Sequence, residues 1–257
     1  MRMMKRAFLI AGIAAALLSL LGAAAMADTL IGTSGPEQLQ GTPGPDQIYG
    51  EAGDDVLTGL GANDYLEAGP GNDEIDAGGG LDLVIGGTGN DHVDGGVGAD
   101  VVYAGAGDDV VLGGADDDTL FGQDGSDQLF GGNGEDRIYA SLGQDFVDAG
   151  SDADTVSADG SGITILAAGG DDTVSATGGP TTVEGGGGHD RIRTGTGNDH
   201  VSGGPGRDSL ATGAGNDRIE AADGRRDRVR CGPGTDSVTA DRIDVLSGCE
   251  NVTRPIG

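Results

Sequence analysis

Aspartate recurs every nine residues through most of this chain, and carboxylates at a fixed spacing are first of all ligands for hard cations. Cut into blocks of nine from Gly32, the sixth place holds Asp46, Asp55, Asp64, Asp73, Asp82, Asp91, Asp100, Asp109, Asp118, Asp127, Asp136, Asp145, Asp154, Asp172, Asp190, Asp199, Asp208 and Asp217. Of the 21 blocks, only those with Glu37, Ile163 and Thr181 depart from Asp there. Asn or Ser would serve a turn equally well, so a near-strict demand for the ionised type points beyond turn formation. Zinc and copper favour thiolate and imidazole, and the chain has two cysteines and three histidines. Magnesium demands tighter octahedral geometry, whereas calcium accepts six to eight oxygens in flexible arrangements. Glycine-rich turns can supply the remaining oxygens as backbone carbonyls.

The rest of each block must position that carboxylate. Blocks such as GGTGNDHVD (86–94), GGVGADVVY (95–103) and GGNGEDRIY (131–139) align without a gap from Gly32 to Glu220. The eighth place is Leu, Ile or Val in all 21 blocks, and the fourth is Gly in 17. Only places seven to nine have strand character. Neighbours in a strand point to opposite faces, so place eight faces in and places seven and nine face out. Places one to six read as turn chemistry. One apolar residue per block buries nothing alone, but stacked copies do.

The consensus G-G-x-G-x-D-x-U-x, with U aliphatic, resembles the RTX (hemolysin-type) calcium-binding nonapeptide repeats. The likeness covers about three quarters of the chain. It implies a parallel β-roll in which two nonapeptides make one coil and calcium ions sit in the turns. The expected fold is therefore all-β: a parallel β-roll solenoid of about 21 nonapeptide repeats with a disulfide-stapled C-terminal cap. Coils stacked at about 4.8 Å give about ten coils and a rod roughly 50 Å long. Sixth places then stack in two ladders, and their successive gaps give roughly 15 calcium sites. A bare ladder of carboxylates about 5 Å apart would repel itself by several kcal/mol per pair at an intermediate dielectric, and a divalent ion in each gap reverses the sign. Ile163 and Thr181 interrupt the odd-block ladder, so a weaker or irregular stretch is expected near residues 149–184.

Composition agrees. There are 43 acidic residues against 14 basic ones, a net charge of −29, with 54 glycines, no tryptophan and eight Phe plus Tyr. That balance opposes nucleic acid and anionic membranes as partners. Arg2, Lys5 and Arg6, the apolar run from Ala7 to Leu21 and the sequence Ala25-Met26-Ala27 read as a secretory signal over residues 1–27. The run is short for a membrane span, so the expectation is a secreted or cell-surface protein with no span after signal removal. Type I-exported RTX proteins usually lack such a signal, so general secretion is inferred. The division expected is 1–27 signal, 28–220 repeats and 221–257 an irregular repeat and cap. Within the cap, Cys231 and Cys249 stand 18 residues apart, one coil, and an exported chain meets oxidising conditions, so a disulfide is expected. Arg225, Arg226, Arg228 and Arg230 read as a solvated edge offsetting nearby acids.

No nucleophile–base arrangement is recognisable. His92, His189 and His200 fall in separate blocks at outer or turn places. The expected role is non-enzymatic: a calcium-binding protein that folds on its ions and acts in structure, at the cell surface or in adhesion. The rival is a polysaccharide-acting enzyme on a solenoid scaffold. Tyr103, Phe121 and Tyr139 share place nine of alternate blocks and should stack on one outer face, with Leu112 and Phe130 opposite. Cross-strand packing explains such a row; cell-surface glycans or a second copy are the candidate partners if it is functional.

Overall fold

The computed structural model describes residues 28–255. The signal expected over residues 1–27 lies outside them. Twenty-six strands of three to six residues alternate between two parallel sheets of 13 strands each. The first sheet runs from Asp28–Ile31 through Asp46–Tyr49 and onward to Val245–Ser247; the second runs from Gln38–Gln40 to Asn251–Thr253. Each strand pairs with the strand one coil away, as Ile48 does with Leu66 and Leu120 with Ile138. The molecule is a β-solenoid of 13 coils, about 60 Å long at ordinary strand spacing.

Thirteen coils exceed the ten that the 21 blocks imply. One extra strand, Asp28–Ile31, precedes Gly32 and pairs with Asp46–Tyr49. Beyond Glu220 the strands Arg228–Arg230, Ser237–Ala240, Val245–Ser247 and Asn251–Thr253 extend both sheets. The one-residue slip there is absorbed in a turn, so Ser209 pairs with Arg228 at an offset of 19 instead of 18. Sheet pairing needs matching strands, and a turn can take up the odd residue.

Inward alternation is longer than three residues. Asp46, Ile48 and Gly50 are buried, while Gln47 and Tyr49 are partly exposed. Places six, eight and one of the next block therefore all face in. The place-eight aliphatics form the spine, with Leu57, Leu66, Val84, Leu120 and Leu129 all fully buried. Small residues at place one, such as Ala68, Ala77 and Ala104, fill the space beside them. Place one thus belongs to the strand alternation and not to the turn. Places two and four carry the left-handed backbone. Gly89, at φ 123°, is an example: a Cβ there would run into the Gly71 carbonyl one coil away.

The stretch near residues 149–184 is regular in its pairing. Thr155–Ala158 pairs with Thr173–Ala176, and Thr164–Leu166 with Thr182–Glu184, without a break. What changes there is the chemistry of place six. Ile163 stays inward and buried, and Thr181 is 4% exposed. Cys231 and Cys249 are bonded across the last coils, with Cα atoms 5.2 Å apart.

Candidate metal centres

Each place-six aspartate ends a turn and starts a strand, so its side chain is the first inward one. All 18 predicted aspartates are buried, none more than 3% exposed. Their carboxyl groups form a ladder that the repeat pattern did not reveal. Oδ1 of each but Asp46 accepts the backbone N–H of the place-six residue one coil earlier: Asp46 N–H to Asp64 at 2.7 Å, Asp64 to Asp82 at 2.7 Å, Asp100 to Asp118 at 2.8 Å. The second stack repeats this, with Asp55 N–H to Asp73 at 2.8 Å and Asp91 to Asp109 at 2.8 Å. Place five builds a parallel ladder on the exposed rim, in the opposite direction. There the N–H of Asn90 reaches Oδ1 of Asn72 at 2.8 Å, and Asp108 N–H reaches Asn90 at 3.0 Å.

The other oxygen, Oδ2, has no partner. In 17 of the 18 predicted residues it is buried without a hydrogen bond; Asp46 is the exception. Asp227 and Asp236 have the same orphaned oxygen. Asp236 closes one more regular block, and Asp227 becomes visible once the register slip is allowed for. The ladder ends differ. Asp46 Oδ2 accepts the Thr42 N–H at 2.6 Å, and Asp244 Oδ2 accepts the Asp241 N–H at 2.6 Å. In the other stack, Glu37 accepts the Thr33 N–H at 3.0 Å, and Glu250 accepts the Asp236 N–H at 3.0 Å. Three of the four ends thus have a local donor, Thr33, Thr42 or Asp241, whereas Glu250 makes only the ladder bond and the interior Oδ2 atoms have no donor.

A buried anionic oxygen without a donor needs a proton or a cation. The titration directions say the same. Desolvation pushes Asp100 and Asp154 up to about 8, and Asp64, Asp91 and Asp118 up to about 7. In these five, carboxylates one coil away add to the rise, and the backbone N–H opposes it. Desolvation likewise pushes Asp82, Asp136, Asp190 and Asp208 up to about 6.

The surroundings fit a hard cation. Where place one is glycine, Oδ2 of the same block lies over it, at a point that a Cβ would enter. A Cβ on Gly41 would stand 2.5 Å from Asp46 Oδ2 and 3.0 Å from the Gly59 carbonyl; on Gly50 it would stand 2.7 Å from Asp55 Oδ2 and 2.6 Å from the Ala68 carbonyl. Carboxylate and carbonyl oxygens thus converge beside the place-one glycines, whereas at Ala68, Ala77 and Ala104 a methyl group takes that point. Among the described residues no three His, Cys, Asp or Glu side chains gather in a metal-binding cluster. Any ion held here must therefore draw much of its shell from backbone oxygens, which suits calcium and not zinc. Where Ile163 replaces the carboxylate, a Cβ on Gly160 would meet its Cδ1 at 3.0 Å. That rung is apolar, as the sequence pattern predicted.

Outside the ladders, Tyr103, Phe121 and Tyr139 stack as expected, with ring centroids 4.6 and 4.7 Å apart and planes within 6°. Leu112 and Phe130 pair on the second sheet, where Phe130 also tilts against Phe146 at 5.8 Å. His92, His189 and His200 are exposed, in separate blocks.

Fold and site together define a parallel β-solenoid lined by two buried carboxylate ladders. The family model of the RTX calcium-binding nonapeptide repeat (4 copies) matches residues 31–66, 58–93, 85–120, 94–129, 121–156 and 184–219. These matches take in more than half of the chain, which therefore belongs to the RTX calcium-binding nonapeptide repeat family. They flank residues 157–183, where Ile163 and Thr181 lie, and do not cross them. Among solved structures, the chain is similar to a hyperactive, Ca2+-dependent, β-helical antifreeze protein from an Antarctic bacterium. That likeness has a TM-score of 0.53 at 22% identity and covers 91% of this chain and 83% of the other. At that identity it speaks for the fold. No curated protein matches.

Proposed function

We propose that this chain is an exported calcium-binding β-solenoid whose folding is coupled to its ions, with a structural, cell-surface or adhesive role. The carrying observation is the interior run of buried, partnerless Oδ2 atoms between ladder ends that satisfy themselves. The 18 aspartates named above, with Asp227 and Asp236, would hold the ions together with turn carbonyls. The number of ions, roughly 15 by counting ladder gaps, rises to about 17 when the last two aspartates extend the stacks. Calcium supplies the positive charge that lets adjacent carboxylates stay buried. The chain supplies their spacing, the N–H that fixes Oδ1, and the exclusion of water by the aliphatic spine. Without ions the ladders oppose folding, so site formation and chain ordering become one process. The calcium dependence of the similar β-helical protein is in line with this reading. Extracellular modules of this chemistry bind in the range of about 0.1–1 mM, which would hold folding back until export.

A non-catalytic role is supported by the exposed, scattered histidines and by the use of the buried carboxylates within the ladders. The rival enzyme reading requires turnover on a polysaccharide panel. The ring geometry argues against glycan stacking on Tyr103, Phe121 and Tyr139. Phe121 has both faces covered by its neighbours, and Tyr103 and Tyr139 each have one covered, whereas sugar stacking uses an open face.

Calcium calorimetry alongside circular dichroism tests the proposal. A β spectrum should be lost in EGTA and return with calcium, at a stoichiometry above ten ions per chain. A spectrum indifferent to chelation would refute the linkage.

A further inference from the structure

Charge is segregated along the solenoid. No Lys or Arg occurs between residues 28 and 136, whereas ten of the 11 arginines of the described chain lie at or beyond Arg191. Within that last third, most acids are the buried Asp199, Asp208, Asp217, Asp227, Asp236 and Asp244. Its surface is therefore basic, although the chain as a whole carries −29.

The arginines are ordered by the sheet. Arg191 and Arg193 flank buried Ile192, and Arg228 and Arg230 flank buried Val229, so all four project from the outer face of the first sheet. Ser209 pairs with Arg191 on one side and with Arg228 on the other; Ala211 does the same with Arg193 and Arg230. The four guanidinium groups thus spring from the corners of a rectangle, about 7 Å along the strand and about 10 Å along the axis. Small Ser209 and Ala211 floor the space between them. Arg207 and Arg226 sit exposed on the turns leading into the middle and far strands of this set. From Thr155 to Ser247 no acidic side chain occupies an outward place on this sheet. Among the described residues the ion pairs are Arg218 and His200 with Glu220, both on the second sheet. Neither Arg228 nor Arg230 takes part in a contact ion pair among the described residues. Like charges gathered on one sheet face cost stability, and among the described residues no acidic side chain makes a contact ion pair with these four.

We propose that this arginine face binds an extended acidic polysaccharide, its sulfate or carboxylate groups bridging Arg191 and Arg193 to Arg228 and Arg230 across the Ser209–Ala211 floor. Charge complementarity commits the face to an anion, and the regular, flat array commits it to a linear polymer. Arginine forks grip sulfate and carboxylate in two-point contacts. Nucleic acid is disfavoured because the face has no aromatic platform for bases. The proposal needs the folded solenoid, and so calcium, but not export.

The test uses the full chain in millimolar calcium, titrated with dextran sulfate, hyaluronate and uncharged dextran. Binding should appear with one or both acidic polymers and not with the neutral one, and should weaken with added salt. The variant R191S/R193S/R228S/R230S should bind at least about tenfold more weakly with a shallower salt slope, while R242S/R254S should bind as the parent does. Circular dichroism in calcium separates loss of the face from loss of the fold. Should the quadruple variant misfold, phenylglyoxal footprinting of the parent chain replaces it: the polymer should shield Arg191, Arg193, Arg228 and Arg230 and leave Arg242 reactive. Equal binding by the quadruple variant, or equal shielding of Arg242, overturns the proposal. So does tighter binding of a single-stranded oligonucleotide, or an arginine-dependent dimer in sedimentation without polymer, which would assign the face to nucleic acid or to a second copy.

Discussion

A carboxylate with one oxygen tied to a backbone N–H and the other buried bare is under opposing demands. The first bond favours the ionised form, and the desolvated second oxygen disfavours it. Asp118 illustrates the balance: its Oδ1 accepts from Asp100 at 2.8 Å, yet burial pushes it up to about 7. Asp118→Asn keeps the acceptor and removes the charge. In EGTA at about pH 8 this variant should be no less stable than the parent, because a penalised anion is gone. In calcium it should melt lower and bind one or two fewer ions. Asp46→Asn should cost less, since Asp46 Oδ2 already has the Thr42 N–H. Scanning calorimetry with and without calcium distinguishes these outcomes, and equal losses in both conditions would contradict the ligand role. The same titrations give a pH dependence. Asp64, Asp91, Asp100, Asp118 and Asp154 lie at about 7 to 8 in the fold, against about 3.9 in an unfolded chain. Between those values the fold holds more protons than the unfolded chain. Metal-free stability is then fullest below about pH 4 and is lost progressively as pH rises from there through about 7 to 8. Calcium must displace those protons, so its affinity should fall on acidification from about pH 8 to about pH 5, with protons released on binding. Calorimetry in buffers of different ionisation heat reads that release. The aspartates themselves were plain in the sequence. Their inward aim was not, because glycines on one side hid the fact that strand alternation begins at place six.

At the level of strand and turn, the fold follows a rule of two: places six, eight and one face in, and everything between faces out. The aliphatic place alone is enough to read the parallel solenoid from sequence. It could not give the coil count, because the first strand, Asp28–Ile31, has no glycine-rich turn before it within the aligned blocks and the last strands follow offsets of 19, 17 and 14 residues. A nine-residue ruler loses strands that hydrogen bonding still recruits. The rungs at Ile163 and Thr181 show the converse. There the strand ladder is intact while the carboxylate ladder of one stack stops at Asp145 and resumes at Asp199. Sheet continuity and ion binding are therefore separable, and I163D/T181D should rejoin the broken ladder. Three more gaps between stacked aspartates would form, so calcium stoichiometry should rise by up to about three ions. In EGTA the same variant should be less folded than the parent, since Ile163 trades a buried side chain for a buried charge. A fixed stoichiometry on calorimetric titration would mean that the ladder gaps are not the sites.

For the whole molecule, each coil touches only the coils before and after it, so stability is close to a sum of local terms. The terms are not uniform. From Asp46 to Asp145 both stacks carry unbroken aspartates; from there to Asp199 only one does; beyond Cys231 the disulfide to Cys249 ties the final coils. Without ions the most acidic part, residues 28–136, has no base to offset it, so repulsion concentrates where the ladders are complete. Calcium inverts that ranking, because the region with most repulsion has most sites. Hydrogen exchange at rising calcium should therefore show residues 46–136 passing from the least protected to the most protected part of the chain. Residues 149–184, with a single ladder and an apolar rung at Ile163, should change less and over a broader range. The closed ends matter too: the Thr42 and Asp241 N–H groups satisfy the outermost rungs of one stack without metal, so protection should spread from interior coils outward. If all coils gain protection together, independent of how many carboxylates they stack, the ions act on a single global folding step and the local accounting of ladders is wrong.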